Sequence, residues 1–165
     1  MAGFIYTVYV LVIVQKVYEY RQSRSNERWL RDRGGRESRG RVHHWLFGLQ
    51  ILFYSAILAE LQIGGLEHVN AFWLSIILTA FIGRFWCMHA RGKFWNHKHI
   101  VVPRVLVIKT GPYKFMRYPD YLLTAVELVA IPLFFGAYVS FVLFLLLHGV
   151  LTIVRLPGEQ SLRKA

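Results

Sequence analysis

The sequence predicts an all-α polytopic membrane protein with five transmembrane helices, the last two forming a helical hairpin. Three observations carry that reading. Of 165 residues, 55% are hydrophobic and 16% aromatic, yet the formal net charge is +11. A mean hydropathy of +0.38 beside a pI near 10.2 is an unusual pairing for a soluble domain of this size. The apolar and the charged residues are also segregated along the chain, as they are when helices cross lipid and connectors do not.

The first apolar run lies in MAGFIYTVYVLVIVQKVYEY. No basic residue precedes it and no small-x-small cleavage site follows, so residues 3–20 read as a retained span. Further runs fall at roughly 44–63, 70–90, 120–135 and 138–154. The last two are separated only by Gly136 and its neighbours, which predicts a tight hairpin, and Pro132 falls near the end of the fourth run. A length of 165 residues suits one domain.

Lysines and arginines test the division. Arg21, Arg24, Arg28, Arg31, Arg33, Arg36, Arg39 and Arg41 fall between the first two runs, and a second basic set from Arg84 to Arg117 precedes the fourth. The connectors near 62–69 and 136–137 carry none. Loops rich in these residues are retained on the cytoplasmic side. The alternation predicts an outside N-terminus, a cytoplasmic C-terminus and an odd number of spans. It also predicts attraction to anionic headgroups of membrane lipids. Nucleic acid is not expected as a partner, because Glu19, Glu27, Asp32 and Glu37 dilute the arginines.

Cys87 is the single cysteine, which leaves no internal disulfide. His89, His97 and His99 have no carboxylate or cysteine at ligand spacing, so no metal site is expected.

Polar groups without a topological reason mark where chemistry could sit. The third connector and the start of the fourth run read ARGKFWNHKHIVVPRVLVIKTGPYKFMRYPDYLL. Its stretch IVVPRVLVI is too apolar and β-branched for a plain linker, and Pro103 and the Thr110-Gly111-Pro112 turn break any long helix. Open backbone beside membrane helices satisfies its amides best by lining a cavity. An interfacial anchor, with tyrosines at the aromatic belt, is the competing reading. In the tail, Arg155 and Glu159 are four apart and share a face if the helix runs through Pro157 and Gly158. Gln50, Glu60, Glu127 and His148 fall inside apolar runs, where ionisable groups are costly. Glu60 sits near the outer edge and reads as solvated, whereas Glu127 is expected to pair with Arg84 or another cation.

GPYKFMRYPDYLL, from Gly111 to Leu123, resembles the GPYrfvRHPnYl signature of the isoprenylcysteine carboxyl methyltransferase family, which includes phospholipid methyltransferases. RFWCMHARGKFWN is similar to the family's R-x-W…LGRxW segment, and Arg155 to Glu159 resembles its R-x-x-x-EE motif. Tyr118 stands where the family has histidine, and Gln160 where it has a second glutamate. The resemblance covers about 81–162 within one membrane methyltransferase domain of 1–165. SNERWL and the compact length look most like a compact bacterial branch, some members of which methylate alkylpyrones.

The resemblance implies S-adenosyl-L-methionine as cofactor, held by the third connector and the tail on the cytoplasmic side. Val105, Leu106, Val107 and Ile108 supply backbone and apolar contacts in that reading. Tyr113, Tyr118, Pro119, Asp120 and Tyr121 close around the cofactor, Glu159 binds one of its polar groups, and Arg155 faces the acceptor. The implied activity is methylation of a carboxylate or acidic hydroxyl on a lipophilic acceptor (prenyl, alkylpyrone or another long chain) at a bacterial plasma membrane. An NADPH-dependent reductase of the sterol-reductase type and a non-catalytic membrane scaffold are the alternatives.

Overall fold

The computed structural model of the chain describes residues 2–37, 40–64, 70–98, 100–102, 110–116 and 118–162; of residues 36–37, 40–44, 64, 101 and 152–162 it describes the backbone alone. Five helices dominate: α1 (Ala2–Arg31), α2 (Gly40–Gly64), α3 (Ala71–Arg91), α4 (Pro119–Phe134) and α5 (Tyr138–Leu162). Two short strands, β1 (Arg36–Glu37) and β2 (Ile100–Val101), pair antiparallel, with Arg36 opposite Val101 and Glu37 opposite Ile100. Single 3-10 turns occupy Gly92–Phe94 and Gly111–Lys114.

Local chemistry sets the boundaries. Asn70 caps α3, its Oδ1 accepting from the Phe72 N–H at 2.9 Å. Pro119 opens α4, where its missing N–H costs nothing. Gly136, at φ 69°, closes the α4–α5 turn while the Ala137 N–H donates to the Pro132 carbonyl at 2.8 Å. Glu60 is not simply solvated. Its carboxylate accepts from the N–H groups of Val139 and Ser140, both at 3.0 Å, and so caps α5 from the neighbouring helix.

Ile5, Val8 and Val12 of α1 meet Phe53 and Ile57 of α2, Ile77 of α3, Ile131 and Phe134 of α4 and Phe144 of α5 in one apolar core. The outer surface is apolar too: Leu11, Ile51, Ile82, Val139 and Leu146 are all exposed. That is the surface of a protein solvated by lipid. The helical stretches Ala2–Arg31, Trp45–Ile63 and Ala71–Phe94 are long and apolar enough to cross a bilayer, and Tyr138–Leu151 is a shorter apolar helix.

One element departs from the sequence reading. α1 does not stop near residue 20 but continues to Arg31, so Arg21, Arg24, Arg28 and Arg31 ride on a helix and not in a loop. Tertiary contact holds this extension. Asn26 is fully buried and its amide donates to the carbonyls of Gly92 (3.1 Å) and Trp95 (2.8 Å). Ser23 accepts from the His97 N–H at 2.9 Å, and Lys98 pairs with Glu27 at 3.1 Å.

Candidate active site

α1 carries a buried polar stripe: Gln15, Glu19, Ser23, Asn26 and Glu27. The spacing of three and four puts these groups on one face, turned toward α3, α4 and the connector after α3. Lys16, beside the stripe, donates to Glu127 at 2.7 Å and to both oxygens of Glu19 at 3.2 Å. Arg84 of α3 donates to Glu127 at 3.0 Å, to Thr124 Oγ1 at 2.9 Å and to the Asp120 carbonyl at 3.2 Å. Its Nε lies 3.7 Å from Glu19. The expected pairing of Glu127 with Arg84 is present, and Lys16 is an added partner.

Asp120, at the start of α4, is the second focus. Trp95 Nε1 donates to its Oδ1 at 3.2 Å, and the Tyr113 hydroxyl donates to Oδ2. Guanidinium nitrogens of Arg84 and Arg91 each lie 3.9 Å from the carboxylate, and the Arg91 guanidinium stacks 4.0 Å above the Tyr113 ring. Burial, then the neighbouring Asp120 carboxylate, pushes the Tyr113 phenol well above its ordinary range. Tyr113 is therefore a standing donor to Asp120. Gly111 lets this turn dock: at φ 58°, a Cβ there would sit 2.8 Å from Ala90 Cβ.

These groups border a cavity of about 830 Å³. One end is polar, lined by Lys16, Glu19, Arg84, Asn96, Asp120 and Thr124. The other lies between α1 and α2 and is walled by Ile13, Val17, Phe47, Ile51, Leu58 and Ala59. Lining runs along α2 from Leu46 to Gln62, about 24 Å at 1.5 Å per residue. The two helices bracket this slot with a Tyr20–Phe47 ring stack at 5.0 Å and a Gln62–Tyr6 hydrogen bond at 3.2 Å. Gln50 and His148 also line the cavity.

The residues predicted from sequence divide into three groups. Asp120 and Tyr121 line the cavity, and Tyr113 and Pro119 are buried beside Asp120 without lining it. Tyr118 packs edge-on against Tyr121, ring centroids 5.8 Å apart. Val105, Leu106, Val107 and Ile108 lie outside the described residues, as do the side chains of Arg155 and Glu159, although the α5 backbone is helical through both. Lys16 and Glu19 were missed. The signal for them was present as polar residues at helical spacing from Gln15 to Glu27, running past the apolar limit of the first span. Among the described residues, no group of three or more His, Cys, Asp or Glu side chains could hold a metal ion.

The model of the "Isoprenylcysteine carboxyl methyltransferase (ICMT) family" matches residues 73–163. The chain belongs to this family. It is also 34% identical over 154 residues to "Uncharacterized protein YpbQ" of Bacillus subtilis (strain 168), covering 92% of this chain and 91% of that protein. No solved structure matches. The chain is thus a membrane protein of a methyltransferase family. The ICMT-family match begins at Trp73 and takes in Arg84, Asp120 and Glu127, whereas Lys16 and Glu19 lie before it.

Proposed function

We propose that the chain is an S-adenosyl-L-methionine-dependent O-methyltransferase. Its acceptor is a lipophilic molecule (prenyl, alkylpyrone or other long-chain) carrying a carboxylate or acidic hydroxyl, methylated at the cytoplasmic face of a bacterial plasma membrane. The observation that carries this is one continuous cavity joining an apolar slot between α1 and α2 to a polar end at Asp120. Such a shape suits an amphiphile whose tail lies at membrane depth while its reactive head meets a polar partner.

The donor set suits the cofactor. Asp120 keeps part of its carboxylate open and has spare lone pairs for a ribose hydroxyl or an ammonium. Trp95, His97 and Tyr121 line the same cavity with aromatic side chains, which suit a base. S-adenosyl-L-methionine supplies an electrophilic methyl group when bound. In this reading Asp120, Tyr121, Tyr118, Pro119 and Tyr113 hold it, together with the backbone of Val105–Ile108 and the carboxylate of Glu159. Arg155 faces the acceptor. The protein's task is mainly positioning, for which effective molarities reach about 10⁵ M or more. Tyr118, lacking an imidazole, is compatible with that task.

Calorimetry on the detergent-solubilised protein tests the reading. S-adenosylhomocysteine should bind, and Glu159→Ala should weaken it at least about tenfold, the loss of one charge-assisted hydrogen bond. Unchanged affinity in the variant removes Glu159 from the site. Binding of NADPH in place of S-adenosylhomocysteine supports a reductase, and binding of neither supports a scaffold.

A further inference from the structure

Among the described residues, the charges in and beside the polar end of the cavity balance. Lys16, Arg84 and, outside the lining, Arg91 face Glu19, Glu127 and Asp120, three cations against three anions, linked by ion pairs from 2.7 to 3.9 Å. All lie in or at the ends of helices carrying exposed apolar faces, where an uncompensated charge is costly. With no cofactor bound, a ligand arriving as an anion would leave this cluster at −1. A ligand arriving with its acidic proton in place leaves it neutral.

Within the cluster, Glu19 is the carboxylate set to take that proton. It lines the cavity, whereas Glu127, paired with Arg84 and Lys16, does not. Glu127 is held by the two shortest bonds of the set, 2.7 Å from Lys16 and 3.0 Å from Arg84. Asp120 already accepts from the Tyr113 hydroxyl and the Trp95 indole, and its remaining lone pairs are assigned to the cofactor. Glu19 has looser partners: Gln15 at 3.0 Å, Lys16 at 3.2 Å and Arg84 Nε at 3.7 Å. That Nε is buried, has no hydrogen-bond acceptor within range and belongs to a cavity-lining residue. The other polar groups facing this end are Gln50 and Tyr54 from α2, Asn96 and His97 from the connector, Thr124 from α4 and His148 from α5.

We propose that Glu19 is the proton acceptor for the acidic hydroxyl of the acceptor, with Lys16 and the Arg84 Nε–H holding the oxyanion that results. The acceptor's O–H bond breaks, the proton bonds to a Glu19 oxygen, and the electron pair stays on the acceptor oxygen beside the two cations. Net charge in the pocket is unchanged by this transfer. The proton passes later to solvent, which restores the carboxylate. The inference deepens the methyltransferase reading and rests on it for the presence of an acceptor in this cavity. It narrows the acceptor to a molecule that enters protonated.

A long-chain alkyl nitrophenol serves as probe, because its phenolate absorbs in the visible and its neutral form does not. Binding is measured without cofactor at a pH where the free probe is neutral, by absorbance and by calorimetry in two buffers of different ionisation enthalpy. In the wild-type protein the phenolate band should appear with no net proton released, because the proton stays in the site. Glu19→Gln leaves the cluster at +1, so the band should appear with about one proton released per probe bound. The charge-balanced double variant Lys16→Gln/Glu19→Gln keeps neutrality and guards against misfolding of the single variant. It should bind the probe with neither band nor release. Three wild-type outcomes would overturn the proposal: no binding, binding without the band, or a band accompanied by a released proton. So would a double variant that behaves as wild type. S-adenosylhomocysteine binding, measured on the same samples, reports on the methyltransferase reading separately: its absence defeats that reading, while the proton count judges Glu19.

Discussion

Tyr113 and Asp120 show how the GPYKFMRYPDYLL string works before any ligand arrives. Asp120 gathers an indole, a phenol and two guanidinium groups from three separate segments, which fixes the carboxylate at the mouth of the cavity. Tyr113→Phe removes the hydroxyl and keeps the ring, at an expected cost of roughly 1.5–3 kcal/mol because the acceptor is charged. The variant should also lose some alkaline sensitivity. The Tyr113 phenol is raised above the ordinary tyrosine value of 10.0 by burial and by Asp120. Its contribution is therefore complete below about pH 10 and declines as the pH rises through the folded value. Thermal melts in detergent across neutral and alkaline pH check both points: the wild-type and variant curves should converge above pH 10. A gap of constant size would mean that the hydroxyl does not act through its proton.

At the scale of elements, the extension of α1 couples the two halves of the site. Asn26 holds the carbonyls of Gly92 and Trp95, and Trp95 in turn donates to Asp120. Asn26→Leu fills similar space but strands two carbonyls, at roughly 1–3 kcal/mol each. Hydrogen exchange should rise at residues 92–97 while the apolar core of α3 and α4 stays protected. Uniform exchange across the whole chain would show that Asn26 serves global stability and not this junction. The extension was hard to read in the sequence for a physical reason. Beyond Tyr20 the apolar period ends, and arginines dominate the composition, so hydropathy reports a loop. What holds the helix is a polar face satisfied by backbone groups some 70 residues away, and those partners become visible only in the fold. The motif around Asp120 was legible because its prolines, glycine and aromatics are local instructions. Lys16 and Glu19 carried a signal in their helical spacing, but beside the apolar run they looked like the interfacial end of a span. Glu60 was misjudged for the same reason: its partners are the first N–H groups of α5, 79 and 80 residues on.

For the whole molecule, the open question is whether α4 and α5 cross the bilayer or only dip into it. Charge patterning is silent here. Both ends of a hairpin emerge on the same side, so either arrangement gives a cytoplasmic C-terminus and a basic third connector. Length alone favours a dip: α4 has 16 residues, about 24 Å, against a hydrocarbon layer of about 30 Å. The position of the turn outweighs length. The first N–H groups of α5 are capped by Glu60, only four residues, or about 6 Å, from the end of α2 at Gly64. The hairpin therefore reaches nearly as far as α2 does, and local thinning of the bilayer accommodates the difference at modest cost. Five crossings are expected, with the α4–α5 turn on the side opposite the basic connectors. Cys87 is buried and 1% exposed, so it contributes little background to thiol labelling. Tyr138, 64% exposed beside the turn, is the place to introduce a reporter. In intact cells a membrane-impermeant maleimide should label Tyr138→Cys and Asn70→Cys from outside, whereas Asp32→Cys should label only after permeabilisation. Protection of Tyr138→Cys with labelling of Asn70→Cys would leave three spans and a hairpin that enters and leaves from the cytoplasmic side.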